Sequence, residues 1–169
     1  MGFLDRLFGI RQPPMVTSIL PMPAKNEIMS GRLPILNSDS LFPKKGEKIH
    51  LIDKAVSVEV KKTRVYRHVG ISSPGLFKGH RINTGRGKPI EREEMVYHAG
   101  ILYITNQRIV FHSKEHGFDK GYRYLTAIEP YNDGIELQFG NKTYSLLVCD
   151  GIVVNQALQL IKQKRSAGY

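Results

Sequence analysis

Residues 112–116 read HSKEH, an H-x-x-E-H pattern. On a helix such a pattern sets two histidines on one face as zinc ligands, with the glutamate beside the metal-bound water. Here it follows an apolar, strand-like run and precedes Gly117. On extended backbone His112 and His116 would stand roughly 13 Å apart, at about 3.3 Å per residue. The segment therefore predicts a polar hairpin tip and no metal site. GRGK at residues 85–88 lacks the rest of a phosphate-binding loop, because Ile82 and Pro89 stand where that motif needs Gly and Ser or Thr. Its glycines would still let backbone N–H groups face an anion, the alternative being an ordinary loop. Cys149, the sole cysteine, has only Asp150 beside it, so nothing activates the thiol and it reads as a small core or rim residue. Glu93 and Glu94 are adjacent and would point to opposite faces of a strand. No pairing of acid and base, nucleophile and base, or metal ligands emerges. The expectation is a protein that is not an enzyme and carries no metal or cofactor.

Charge is the stronger signal. The chain of 169 residues carries a net charge of +10. Residues 44–92 hold thirteen Lys/Arg against four Asp/Glu, so nearly the whole excess lies in one segment. Lys61, Lys62, Arg64, Arg67, Lys78, Arg81, Arg86, Lys88 and Arg92 are the candidate anion-binding residues, with Tyr66 and Phe77 among them. Such a patch attracts lipid headgroups, nucleic acid or an acidic protein face, whereas a merely solvated surface would spread its charge more evenly. Nucleic acid ranks lower, because tryptophan is absent and no reading helix is evident.

These side chains need elements to hold them. GFLDRLFG groups Phe3, Leu4, Leu7 and Phe8 on one side of a short amphipathic helix over residues 1–11. Two turns are unstable alone in water, so that helix must dock on its own domain, another protein or a membrane surface. Asp5 interrupts any secretory leader, and Arg6 breaks the myristoylation pattern. Residues 12–46 form a proline-rich tethering arm, with room for a short helix from about Ala24 to Ser30. Its many apolar residues suggest a segment lying on a surface, its own or a neighbour's.

From Glu47 onward the chain reads as strands. Val56, Val58 and Val60 alternate with polar residues, as on a half-buried strand. Residues 70–91 read as two loops around a short edge strand near Leu76–Ile82, and REEMVYHAG as the next strand. In GILYITNQRIVF, Leu102, Ile104, Ile109 and Phe111 are core positions, and Thr105-Asn106-Gln107 is the turn of a tight hairpin. YLTAIEPY, IELQF and KTYSLLV follow, separated by turn signals at Asn132-Asp133-Gly134 and Gly140-Asn141. DGIVVNQALQLIKQKR is an amphipathic helix: Asp150 is its N-cap, and Ile152, Val153, Ala157, Leu158, Leu160 and Ile161 are its stripe. Lys162, Lys164 and Arg165 suit its C-terminal dipole. About seven short antiparallel strands closed by one helix predict a mainly β (α+β) fold, a partly open antiparallel barrel or sandwich.

The pattern Gly100, Leu102, Tyr103, Ile104, Thr105, Asn106, Arg108, Ile109 and Phe111 resembles the central hairpin of GRAM domains, which share the pleckstrin-homology-like superfold. The resemblance covers about residues 46–165, placing the domain at 47–165 and a tail at 166–169. It implies a non-catalytic binding or scaffold module. The expected partner is an anionic membrane surface or an acidic protein face. The alternatives are assembly or self-association through the apolar N-terminal arm, and nucleic-acid binding. The expected location is cytoplasmic, with a peripheral membrane association compatible with the apolar helix.

Overall fold

The computed structural model describes residues 14–67, 71–74, 81–84 and 88–168, with side chains over 14–64 and 89–168. The helix expected at residues 1–11, with Phe3, Leu4, Leu7 and Phe8, lies outside the described residues. Two compact units are present. One comprises the described residues up to Val58 and from Tyr97 onward; the other is Glu59–Val96.

The elements run α1 (Met22–Met29), β1 (Ile49–Arg67), β2 (Ile71–Pro74), β3 (Arg81–Thr84), β4 (Lys88–Thr105), β5 (Arg108–Ser113), β6 (Phe118–Gly121), a 3-10 turn (Tyr122–Tyr124), β7 (Leu125–Pro130), β8 (Gly134–Phe139), β9 (Lys142–Val148) and α2 (Gly151–Ala167). Seven strands make one sheet in the order β6-β5-β4-β1-β9-β8-β7. Curled into a half-barrel and closed by α2, this is the mainly β, partly open antiparallel barrel that the strand spacing predicts. β6 and β7 are its edges. Among the described residues no helix is long and apolar enough to cross a membrane.

The hairpin forms as its pattern dictates. Leu102 pairs with Phe111 and Ile104 with Ile109, and all four side chains are buried. They join Leu51, Ala55, Ile135, Leu137 and Leu146 in the main core. Phe111, Phe118, Phe139 and Tyr144 form an aromatic chain across it, with centroids 4.2–6.0 Å apart. α2 contributes Val153, Val154, Ala157, Leu158 and Ile161. Ile152, expected in that stripe, is exposed, and Leu160 is only half-buried. Asp150 caps the helix as expected, accepting from the Ile152 and Val153 amides at 3.2 Å each. A Cβ at Gly151 would collide with the carbonyl oxygens of Tyr131 and Gly134, so glycine is required where α2 leaves the sheet. Gly140, at φ +61°, supplies the left-handed turn between β8 and β9.

Several strand expectations change. REEMVYHAG and GILYIT are one continuous strand, β4. Residues 70–91 hold two paired strands, β2 and β3, where a single edge strand was expected. β6 follows the HSKEH turn and is a further strand beyond those expected. The Val56 and Val58 face meets only a small cluster with Leu147, while Leu51 and Ala55 on the other face reach the main core. Val60 remains 43% exposed.

Over its described residues the arm lies on the surface of its own domain. Leu20, Ala24 and Ile28 bury themselves in the main core, and α1 packs on α2. Asp53 accepts from the Ser18 hydroxyl at 2.8 Å and the Ile19 amide at 2.7 Å. His50 donates through Nδ1 to the Pro34 carbonyl at 2.6 Å. Lys25 of α1 bonds the Asp150 cap at 2.9 Å.

Candidate anion-binding site

The polar TNQR corner of the hairpin is a lock as well as a turn. Thr105 is fully buried, and its hydroxyl accepts from the amides of Gln107 and Arg108 while donating to Glu47 at 2.7 Å. Asn106 Oδ1 accepts from the Lys48 amide at 2.7 Å, and its Nδ2 donates to the Gly46 carbonyl. Gln107 Nε2 donates to the Lys45 carbonyl at 3.0 Å. The turn thereby fixes the backbone of residues 44–48.

Glu47 is the centre of the lock. Its side chain is 0% exposed and accepts from Arg108 Nε at 2.8 Å, Arg108 Nη2 at 3.2 Å and the Lys44 amide at 2.6 Å. Arg108 also bonds Asp119 and the Phe42 carbonyl. Burial alone would raise the Glu47 carboxyl, but the bonds from Arg108, the Lys44 amide and Thr105 outweigh it and hold the group below its usual range. The Glu47 bond likewise raises Arg108 above its usual value. With two carboxylates on its guanidinium, Arg108 has no charge to offer a ligand. It is structural.

The lock leaves other cations facing outward. Lys44, Lys45 and Lys48 on the pinned segment, Arg123 on the 3-10 turn, and Lys162, Lys164 and Arg165 at the end of α2 are all exposed. Arg165 joins them: it lines one groove with Lys44 and Arg123, a second with Lys48 and Lys164, and a third with Arg123 and Lys162. Its guanidinium donates to the Asn106 carbonyl at 3.2 Å and lies 5.2 Å from the centre of the Tyr122 ring. Tyr122 is itself held by its hydroxyl, which donates to the Thr105 carbonyl at 2.6 Å, and burial pushes its pKa upward. The third groove, about 480 Å³, runs between edge strand β7 and α2, with Leu125, Ile128 and Leu158 along its floor. Basic groups on an apolar-floored groove suit an anionic ligand that also carries an apolar part.

The residues singled out from sequence lie elsewhere. Lys61, Lys62, Arg64 and Arg92 are exposed on the second unit. Lys62 stands 3.5 Å from Glu93, and Arg64 stands 3.5 Å from Glu91. Both pairs are solvated and weak, yet they cancel part of the local charge. Lys78 and Arg86 lie outside the described residues, and so do the side chains of Arg67, Arg81 and Lys88. Cys149 is exposed. No family model, curated protein or solved structure matches the chain.

Proposed function

We propose that this chain is a non-catalytic binding module of the GRAM or pleckstrin-homology-like type that engages an anionic partner, either anionic lipid or an acidic protein face. The supporting observation is the convergence on Arg165 of Lys44, Lys48, Arg123, Lys162 and Lys164 around one end of the barrel. Each Lys or Arg near an anionic membrane contributes about 1 kcal/mol, so five or six give useful but reversible binding. The rim moves the functional weight from the second unit to the first. Sedimentation with phosphatidylserine vesicles and with neutral phosphatidylcholine vesicles, alongside a soluble polyglutamate competitor, tests the reading. Binding to the anionic vesicles that falls steeply with salt supports a lipid partner, and binding to polyglutamate alone supports an acidic protein. Absence of both at low salt refutes the module's anionic partner.

The arm supports a second reading, assembly or self-association through an apolar surface. Met15 is 91% exposed and Phe42 86%, with Met22, Met29 and Ile35 also exposed. Light scattering on the full chain and on Met15→Ser/Phe42→Ser checks it. A monomer at every concentration in both proteins counts against self-association.

A further inference from the structure

The HSKEH segment has a partner that its own spacing hides. His112 is the penultimate residue of β5 with an exposed side chain, and His116 lies exposed in the turn before β6. Pairing of Gly100 with Ser113 brings the stretch before Gly100 alongside that turn, and the Ser113 hydroxyl donates to the Ala99 carbonyl at 2.9 Å. The histidine that meets His116 is therefore His98 of β4. The two rings stand 4.1 Å apart, centre to centre, and a nitrogen of one lies within 4.8 Å of a nitrogen of the other. His98 is 7% exposed and rigidly placed on its strand, whereas His116 is free to adjust. The Glu115 carboxylate lies 3.7 Å from His98 Nδ1.

We propose that His98 and His116 bind one divalent transition-metal ion of the zinc class. At 3.7 Å the Glu115 carboxylate attracts the Nδ1 proton by charge, and a metal on Nε2 of His98 would draw the two into the hydrogen bond by which outer carboxylates orient ligating histidines. Two imidazole nitrogens on a tetrahedral zinc, at about 2.0–2.1 Å each, sit roughly 3.3 Å apart. A side-chain adjustment at His116 of about 1.5 Å or less closes the pair to that spacing. The ion staples the β5–β6 turn to β4, and water completes its coordination. Glu115 is a positioning residue in this site. His112, on the same segment, takes no part.

The test is titration calorimetry of the tag-free full chain with zinc chloride, with imidazole nitrogens followed by NMR. The expected result is one equivalent bound, with ring-nitrogen shifts at His98 and His116 and a raised melting temperature. His116→Ala weakens binding at least tenfold, Glu115→Gln weakens it by about tenfold, and His112→Ala leaves it unchanged. His98→Asn, circular dichroism confirming its fold, behaves as His116→Ala; because His116 is exposed, its variant keeps the test decisive if His98→Asn does not fold. No binding at millimolar zinc, or equal losses in His112→Ala and His116→Ala, overturns the site.

Discussion

Removing the Glu47 side chain isolates the lock beneath the hairpin turn. In Glu47→Ala, Arg108 keeps Asp119 and the Phe42 carbonyl but loses its bidentate partner, the Lys44 amide loses its acceptor, and the Thr105 hydroxyl is left with the Arg108 carbonyl at 3.1 Å. The carboxylate is 0% exposed and Arg108 only 10%, so water replaces little of this. Breaking one side of a buried ion pair costs about 3–5 kcal/mol. For a chain of this length, about 2–4 °C of melting temperature accompany each kcal/mol, so the expected fall is roughly 6–20 °C. Thermal melting by circular dichroism measures it. Arg108→Met combined with Glu47→Leu removes both charges and should recover much of the loss, since a buried pair replaced by apolar groups is often neutral. A Glu47→Ala protein that melts within about 2 °C of the parent would refute the lock.

Acidification should destabilise the fold in two stages. Burial depresses His50 below its ordinary value of 6.5, so the unfolded chain takes up the proton more readily and stability is lost as pH falls through that range. The depressed carboxyls of Glu47 and Asp150 add a second loss as pH falls below their ordinary values of 4.5 and 3.8. Denaturant midpoints measured from pH 8 to pH 3 check both, and a flat profile contradicts them. Asp150→Ala should cost about 1–2 kcal/mol through loss of the α2 cap, read by urea unfolding, since Lys25 also loses its partner. Gly151→Ala should cost more than an ordinary surface change, because its Cβ meets two backbone oxygens that cannot swing aside; an unchanged urea midpoint contradicts that.

The hairpin was legible because alternation on both sides of a short polar turn marks two paired strands, although the turn is Asn106-Gln107 alone and Thr105, expected in it, is the buried last residue of β4; the capping Asp150 with its apolar stripe marked α2 equally well. β4 was divided wrongly because Ala99-Gly100 looks like a break, although a glycine there merely lets the Phe111 ring and the His112 carbonyl approach. The basic rim was hidden for a different reason. Lys162, Lys164 and Arg165 come from a stretch whose charges cancel when counted along the chain, and Arg123 stands alone in sequence. Only the fold sets them beside Lys44 and Lys48. Glu47 and Arg108 are 61 residues apart, so no local pattern announces the pair. The available clue was chemical: an arginine beside two buried strand ends needs a carboxylate.

If the module binds through its first unit, the anion sits at the Arg165 rim. A two-dimensional NMR titration of the full chain with phosphatidylserine bicelles tests it most directly. Amides of residues 44–48, 122–124 and 162–166 are expected to respond first, and Arg123→Glu/Lys162→Glu/Arg165→Glu to weaken binding about a hundredfold or more, from about 1 kcal/mol per cation. Responses confined to residues 61–64 and 89–92, with the triple variant binding as tightly as the parent, would contradict it.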